Sequence, residues 1–539
     1  MTKHTWFYET LKLILDEKKI SINEYSKKTK ISYVSLHRML YGEQNISQKD
    51  FEKLMAVNIF SETEKEFLES SYKEFNISKD SRVRLDMVIQ MMTCLNQTLN
   101  QDEMFVTHHS MDFKSSRTIS SKKKIKQYIE NSIYQFSSKS KDKIHMRFFI
   151  NPDIDLIDGV YNALKALAGK VDKEHLDIEF LFLFDSGSKI ESKLFGLQTF
   201  VSFIKLITLC DFVRISYLNQ VGATEFDTVN AFPYYIVIDQ QVLLLNASGD
   251  QMIVIADDNK AYIAYLKEFD KIENKRSLVK NYTTPELSDY IYNLSISDKY
   301  IESKNYTLRY SLSTMNISNE MFAERIANTL KKRALKNFAL KDLDIIKKFK
   351  VRLKEEDKKI QSAPGKVTQY VYVKGIIDFL ENSILSDYAE IGGHFSNLEK
   401  LYFCRESLKN INYGYDLRLI KDDVIETYDF LNLSEHFEIY YDCDEVMIAR
   451  YIDHDKAQLP MDGTIRLSAD SIDYAVVIDF PEITEAFKLF YEEFLYRITL
   501  SPKESFDQIK SLALSMLSYD TPKELKVYNE IKTLLFNRP

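Results

Sequence analysis

The apolar residues change their period near residue 126, and that change limits the chain to a multidomain α+β architecture. Before it, residues 5 to 75 carry apolar positions at helical spacing in short runs: WFYETLKLILDEKK, INEYSKKTK, YVSLHRMLYG, SQKDFEKLMAV and SETEKEFLESSYKEF. Ser21, Ser32, Ser47 and Ser61 stand where a helix N-cap is needed. After it, strand-like runs (IHMRFFI, LDIEFLFLF, FVRISYL, YYIVID, QVLLLN, QMIVIA) alternate with helical ones such as LIDGVYNALKAL and LQTFVSFIKLITL. Alternation of this kind specifies layered α/β structure.

The remaining punctuation divides the chain further. RLDMVIQMMTCLNQTL reads as a helix and SSRTISSKKKIKQ as a Ser/Lys-rich linker. Residues 286 to 365 are charge-rich and mostly helical in pattern, ending at SAPG, and are expected to form a connector. DLRLI, FEIYYD, EVMIARYI and YAVVIDF then return as strands, with FPEITEAFKLFYEEFLYRI and ESFDQIKSLALSML as helices. The expected segments are 1–75 all-helical, 76–125 helix and linker, 126–285 α/β, 286–365 helical connector and 366–539 α+β. A weak echo joins the two mixed regions: AYIAYLKEF at 261–269 and AFKLFYEEF at 486–494 share Ala, Glu and Phe in register.

Composition narrows the function. With 34 Tyr and 34 Phe against 13 Gly, aromatic packing is plentiful and glycine-built ligand loops are few, which weighs against many nucleotide enzymes. A net charge of −8 gives no global attraction to nucleic acid or anionic membrane, so binding of either kind requires a local patch. Cys94, Cys210, Cys404 and Cys443 lie far apart, without CxxC or zinc spacing, and read as reduced thiols. No signal-peptide core opens the sequence and no apolar run is long enough to span a bilayer, so a cytoplasmic protein without a membrane partner is expected.

The local patch lies at residues 18 to 38, where Lys18, Lys19, Lys27, Lys28, Lys30 and Arg38 face Glu24 alone, a net of +5. Residues 1 to 75 as a whole balance twelve basic against twelve acidic residues, so the basic surface is segregated. In the helix after Ser32, Leu36, Met39 and Leu40 fall on one face and Tyr33, Val34, His37, Arg38 and Tyr41 on another. The preceding helix, with Tyr25 and Ser26 at its packing positions, is joined to it by a few residues around Lys30 and Ile31, which is the pattern of a helix-turn-helix.

These residues resemble the helix-turn-helix domains of the Cro and lambda-repressor type, the xenobiotic-response-element family of bacterial regulators, over about residues 5 to 70. The resemblance rests on Ser21 opening the second helix, Ser26 at the interhelical contact, Ile31 and Ser32 at the turn, Leu36 and Met39 in the third helix and Gly42 after it. Family members usually carry Gln beside the capping Ser and Gly in the turn, where this chain has Ile22 and Lys30. The resemblance implies double-stranded DNA as partner, a homodimer on a roughly palindromic site, and a helix entering the major groove. Arg38 and His37 are then expected at bases or nearby backbone, Tyr33 and Ser32 at the helix's leading end, Val34 at base edges, and Lys27, Lys28 and Lys30 at phosphates.

The downstream regions are expected to sense a small-molecule or peptide effector and to dimerise, with no cofactor, no metal and no enzymatic activity. The motifs that would argue otherwise are incomplete. Asp153, Asp155 and Asp158 lack an EF-hand Glu and read as an acidic loop; Asp185, Ser186, Gly187 and Ser188 lack a P-loop pattern. His454, Lys456 and Asp462 approximate a phospholipase-D half-site with the wrong final spacing and no second copy, and the adjacent pair His108 and His109 is weak evidence for metal. Competing readings are a protein-interaction adaptor of phage-defence or antitoxin type, a peptide-responsive regulator and, last, a DNA-associated hydrolase.

Overall fold

The computed structural model describes residues 11–41, 48–68, 79–100, 116–137, 144–150, 154–168, 171–185, 204–220, 231–312, 347–382, 395–431, 437–451 and 472–537, apart from some positions within them, together with Met321 and Arg325. The chain divides into two compact units, Met1–Val83 and Arg84–Pro539. No helix among the described residues is long and apolar enough to cross a membrane.

The first unit contains helices α1 (Ile22–Thr29), α2 (Tyr33–Leu40) and α3 (Gln48–Met55). Its core is supplied by Leu11, Ile14 and Leu15 upstream, Tyr25 from α1, Leu36, Met39 and Leu40 from α2, Phe51 and Leu54 from α3, and Phe60 and Leu68 beyond. The i, i+3, i+4 spacing of these residues is the helical pattern visible in the sequence. Ser61 closes a reciprocal cap, its Oγ accepting from Glu64 N at 3.2 Å and its N donating to Glu64 Oε2 at 2.6 Å. Ser47 and Gly42 lie outside the described residues.

The second unit is a mixed α/β body with two sheets; helix α4 (Lys79–Asn100) runs across the boundary into it. The first half runs β1 (Arg117–Ser120), α5 (Lys122–Ser137), β2 (Ile144–Ile150), α6 (Ile154–Ala168), β3 (Leu176–Asp185), β4 (Val213–Gln220), β5 (Tyr234–Ile238), β6 (Gln241–Leu245), β7 (Gln251–Ile255), α7 (Asn259–Lys271) and β8 (Arg276–Ser277). Its sheet has the order β1-β7-β6-β5-β2-β3-β4-β8. Strands β2, β3 and β4 are parallel, while β2-β5, β5-β6, β6-β7 and β7-β1 are antiparallel.

The second half runs β9 (Val279–Tyr282), α8 (Thr284–Ser295), β10 (Asn305–Arg309), β11 (Val367–Tyr372), α9 (Val373–Asn382), α10 (Asn397–Tyr413), β12 (Asp416–Ile420), α11 (Asp422–Thr427), β13 (Phe437–Asp442), β14 (Glu445–Tyr451), β15 (Ile472–Ile478) and α12 (Pro481–Leu489). Helices α13 (Pro502–Met516) and α14 (Pro522–Thr533) follow. The sheet order is β12-β11-β10-β13-β14-β15-β9. Strands β10, β11 and β12 are parallel and the other pairs antiparallel.

Matching β9 to β1, β10 to β2 and so on through β15 to β7 reproduces every neighbour and every strand direction among β1 to β7; the short edge strand β8, antiparallel to β4, has no counterpart. The second unit is therefore an internal repeat at the level of topology. The echo between AYIAYLKEF and AFKLFYEEF falls on α7 and on the helix beginning with α12, each following the last strand of its sheet's antiparallel run. The two copies abut where β8, on the β4 edge, gives way to β9 within two residues, and Tyr217 of β4 meets Phe480 edge-on at 5.3 Å.

Three sequence expectations change accordingly. SSRTISSKKKIKQ is not a linker: it holds β1 and the start of α5. Its polar character reflects a sheet edge, where β1 alternates half-buried and exposed residues. The stretch 286–365 is not purely a helical connector, because it contributes β10, which lies between β11 and β13 inside the second sheet. The long span between β10 and β11 is the crossover that two parallel strands require. Finally, the segments from 126 onward belong to one compact unit rather than to separate bodies.

Helix α12 also departs from regularity. It continues into a π-helical stretch, Phe490–Leu495, before Tyr496–Ile498 closes it. In that stretch the Tyr491 carbonyl accepts from Tyr370 Oη at 2.8 Å, and Tyr491 Oη donates to Ile439 O at 2.6 Å. Aromatic residues abundant in the sequence thus tie the helix to the sheet below it through buried hydroxyls, each satisfied by backbone.

The parallel strands of the first sheet begin at an ionic cluster. Asp177 on β3 lies between Arg147 Nη2 at 2.8 Å, Arg214 Nη2 at 2.7 Å and His145 Nδ1 at 2.7 Å. Burial raises the Asp177 pKa, but the hydrogen bonds and charges around it, Arg147 foremost, outweigh burial and bring it from 3.8 down to about 2. A carboxylate whose folded pKa is depressed stabilises the fold above its ordinary pKa and loses that contribution as pH falls through the folded value. Asp177→Asn is therefore expected to cost about 2 kcal/mol at neutral pH. Urea midpoints of variant and wild type should converge as pH falls from about 4 towards about 2; a constant gap over that range would reject the ionic assignment.

Candidate nucleic-acid interface

Two helices of eight residues each and the turn between them build the surface that the sequence singles out. Ser21 caps α1, its Oγ accepting from Glu24 N at 3.2 Å, and Ser32 caps α2, its Oγ accepting from Ser35 N at 3.1 Å. Between them Lys30 adopts the left-handed conformation, φ 58° and ψ 24°. That geometry is ordinary for Gly and costs a residue with a Cβ roughly 1 kcal/mol.

The turn is held by side chains on α1 instead. Ser26 Oγ donates to Ile31 O at 2.6 Å, and Thr29 Oγ1 donates to Tyr25 O at 3.0 Å while lying 3.4 Å from Ile31 N. Tyr25 Oη donates to Leu54 O at 3.0 Å and burial pushes its phenol pKa up, so the hydroxyl remains a neutral structural donor. Ile22, where the resemblance leads one to expect Gln beside it, is half-buried against the core and gains packing in place of a polar contact.

Lys30→Gly is accordingly expected to stabilise the first unit by about 1 kcal/mol through relief of the positive φ. Lys30→Ala should give no such gain, since Ala keeps the Cβ. Thermal midpoints of the two variants check this, and equal midpoints would show that the turn is not strained.

The predicted face is presented outward. Leu36, Met39 and Leu40 are buried, whereas Ser32, Tyr33, Val34 and Arg38 are exposed and His37 is half-buried. Tyr33, His37 and Tyr41 form a row at i, i+4 spacing, with ring centroids 5.9 and 4.4 Å apart, and Lys12 Nζ sits 4.5 Å over the Tyr41 ring. Lys27, Lys28 and Lys30 are exposed on the adjoining helix and turn.

The patch is less free than its formal charge suggests. Lys28 pairs with Glu24 at 2.9 Å and Lys18 with Glu64 at 3.0 Å. The Glu24 pair is solvent-exposed and worth at most about 1 kcal/mol, so a phosphate can displace the carboxylate. Sequence reasoning missed Glu64 because it lies 46 positions from Lys18, and missed the role of Thr29 because a hydroxyl facing its own turn has no periodic signature. The stacking of Tyr41 on His37 was legible from i, i+4 spacing.

The other sequence motifs do not gather into a second site. Asp155 and Asp158 belong to helix α6 rather than to a loop, and Asp158 pairs with Lys205 at 2.9 Å. Asp185 ends β3. Asp153, Ser186, Gly187, Ser188, His108, His109, His454, Lys456, Asp462, Cys210 and Cys443 lie outside the described residues. Cys404 is a buried free thiol whose pKa burial pushes up to about 12, which makes it an inert packing group. Comparison with known protein families and with curated proteins found no match to this chain.

Proposed function

We propose that α1 and α2 form a DNA-reading helix-turn-helix and that the protein is a cytoplasmic, sequence-specific transcriptional regulator. The observation that carries this reading is α2 itself, which exposes Tyr33, Val34, His37 and Arg38 over a buried Leu36-Met39-Leu40 face, beside exposed Lys27, Lys28 and Lys30. Those lysines and Arg38 supply phosphate attraction that the acidic chain lacks overall. In this reading α2 enters the major groove, Ser32 and Tyr33 lead, and Arg38 and His37 reach base edges or adjacent backbone. The repeated α/β unit serves effector sensing and homodimerisation, and an effector acts by binding one arrangement of the DNA-reading domains better than another.

Anisotropy with a labelled duplex library, at two salt concentrations, tests this. Wild type should bind selectively, with affinity falling as salt rises, and the titration should saturate at two chains per duplex. Arg38→Ala should lose roughly 10-fold or more in specific affinity, the scale of one base contact. Absence of selective binding across the library would transfer the same exposed face to a protein partner, as in an adaptor.

A further inference from the structure

The composition of the exposed face of α2 limits what it can read, and this inference rests on the DNA-binding reading above. Adenine is read in the major groove by Asn or Gln, cytosine by Asp or Glu, guanine by Arg or Lys, and thymine through its 5-methyl by apolar side chains. Ser32, Tyr33, Val34, His37, Arg38 and Tyr41 form the outward set, and it contains no carboxamide and no carboxylate. Val34 is 59% exposed on the first turn, so its methyl groups face solvent on the same side as Tyr33 and Arg38. Tyr33, His37 and Tyr41 lie in a row along the same helix, with His37 stacked on Tyr41 at 4.4 Å and Tyr33 tilted to His37 at 5.9 Å. Exposed basic side chains lie on the same helix pair, Arg38 on α2, Lys30 in the turn and Lys27 on α1, and Lys12 sits over the Tyr41 ring.

We infer that α2 reads thymine methyl groups through Val34 and a single guanine through Arg38, so that each half-site is a thymine-bearing sequence with one guanine. The charge of these cations matches a duplex flanked by phosphates, and the exposed methyl groups of Val34 match the methyl-lined wall of a thymine-rich major groove.

Deoxyuridine in place of thymidine removes only the methyl, which makes the test direct. The full chain first selects its best duplex from a random pool; each thymine of that duplex is then replaced singly by uracil and binding measured for wild type, Val34→Ala and Arg38→Ala. One replacement per half-site should weaken wild type about fourfold, the worth of one buried methyl, and should weaken Val34→Ala less, since Ala keeps only its Cβ near the thymine. Arg38→Ala should keep the uracil sensitivity and lose preference for guanine at one position. A selected duplex that tolerates every uracil, or a Val34→Ala protein with undiminished uracil sensitivity, overturns methyl readout while leaving DNA binding intact. Failure to select any duplex overturns both. Because Val34 is exposed, its truncation leaves the core untouched, and an unchanged thermal midpoint for Val34→Ala verifies that it is folded.

Discussion

Gly375→Ala is expected to destabilise the α/β unit by about 3 kcal/mol, near the upper end for overpacking. Gly375 sits in the first turn of α9, and a Cβ there would fall 1.9 Å from the Tyr310 carbonyl oxygen and 2.6 Å from its carbon. Both are backbone atoms just beyond β10, so relief requires the strand end or the helix to move. Gly159 in α6 provides the contrast, because a Cβ there meets the Glu130 carboxylate and the flexible Lys126 side chain. Gly159→Ala should be close to neutral, since those side chains can swing aside and Ala favours the helix by up to about 1 kcal/mol. Urea midpoints for the two variants decide the matter: similar losses would mean that α9 does not approach β10 as closely as described.

Glu399→Ala is expected to cost about 3 to 4 kcal/mol, because one carboxylate serves two structures. Its Oε2 accepts from Ser396 N at 2.8 Å and its own N donates to Ser396 Oγ at 3.3 Å, a capping box that starts α10. Its Oε1 pairs with Arg325 Nη1 at 3.1 Å, and the guanidinium lies 4.0 Å over the Phe395 ring. Burial lowers the Arg325 pKa, with the Glu399 charge acting in the opposite sense, so the carboxylate helps to hold a buried cation there. Glu504 makes the same box with Ser501 at the start of α13, where Ser501 N donates to Oε2 at 2.8 Å. Glu504→Ala should therefore lose only the cap, about 1 kcal/mol. The difference between the two variants in chemical denaturation measures the buried pair, and equal losses would show that Arg325 contributes nothing through Glu399.

Much of the candidate interface could be read before any coordinates, since its signals are local. Ser21 and Ser32 as caps, Leu36, Met39 and Leu40 as core and Tyr33, Val34 and Arg38 as outward residues all follow from helical spacing over a few positions. The left-handed Lys30 was legible only as a departure from a glycine-containing pattern; its cost became visible as a φ of 58°. The pairing of Lys18 with Glu64 was not legible, because it joins a turn residue to a helical residue 46 positions away, and the local pattern does not specify how they pack.

By itself the sequence located α1 and α2, strands β2 to β7 and β12 to β15, and their apolar faces, but not β1 or β10, because backbone propensity, capping and side-chain period act over fewer than about ten residues. Only the tertiary structure decided that β1 pairs with β7, matching Thr118 to Ile253, and that β10 pairs with β11, matching Leu308 to Tyr370. Such pairings join hydrogen-bonding groups that every extended segment offers alike, and the choice among them is made by which arrangement covers both sheets and closes the crossovers. For that reason a linker became an edge strand, a connector contributed an inner strand of a sheet, and three shared residues in nine turned out to mark corresponding places in two copies of one topology.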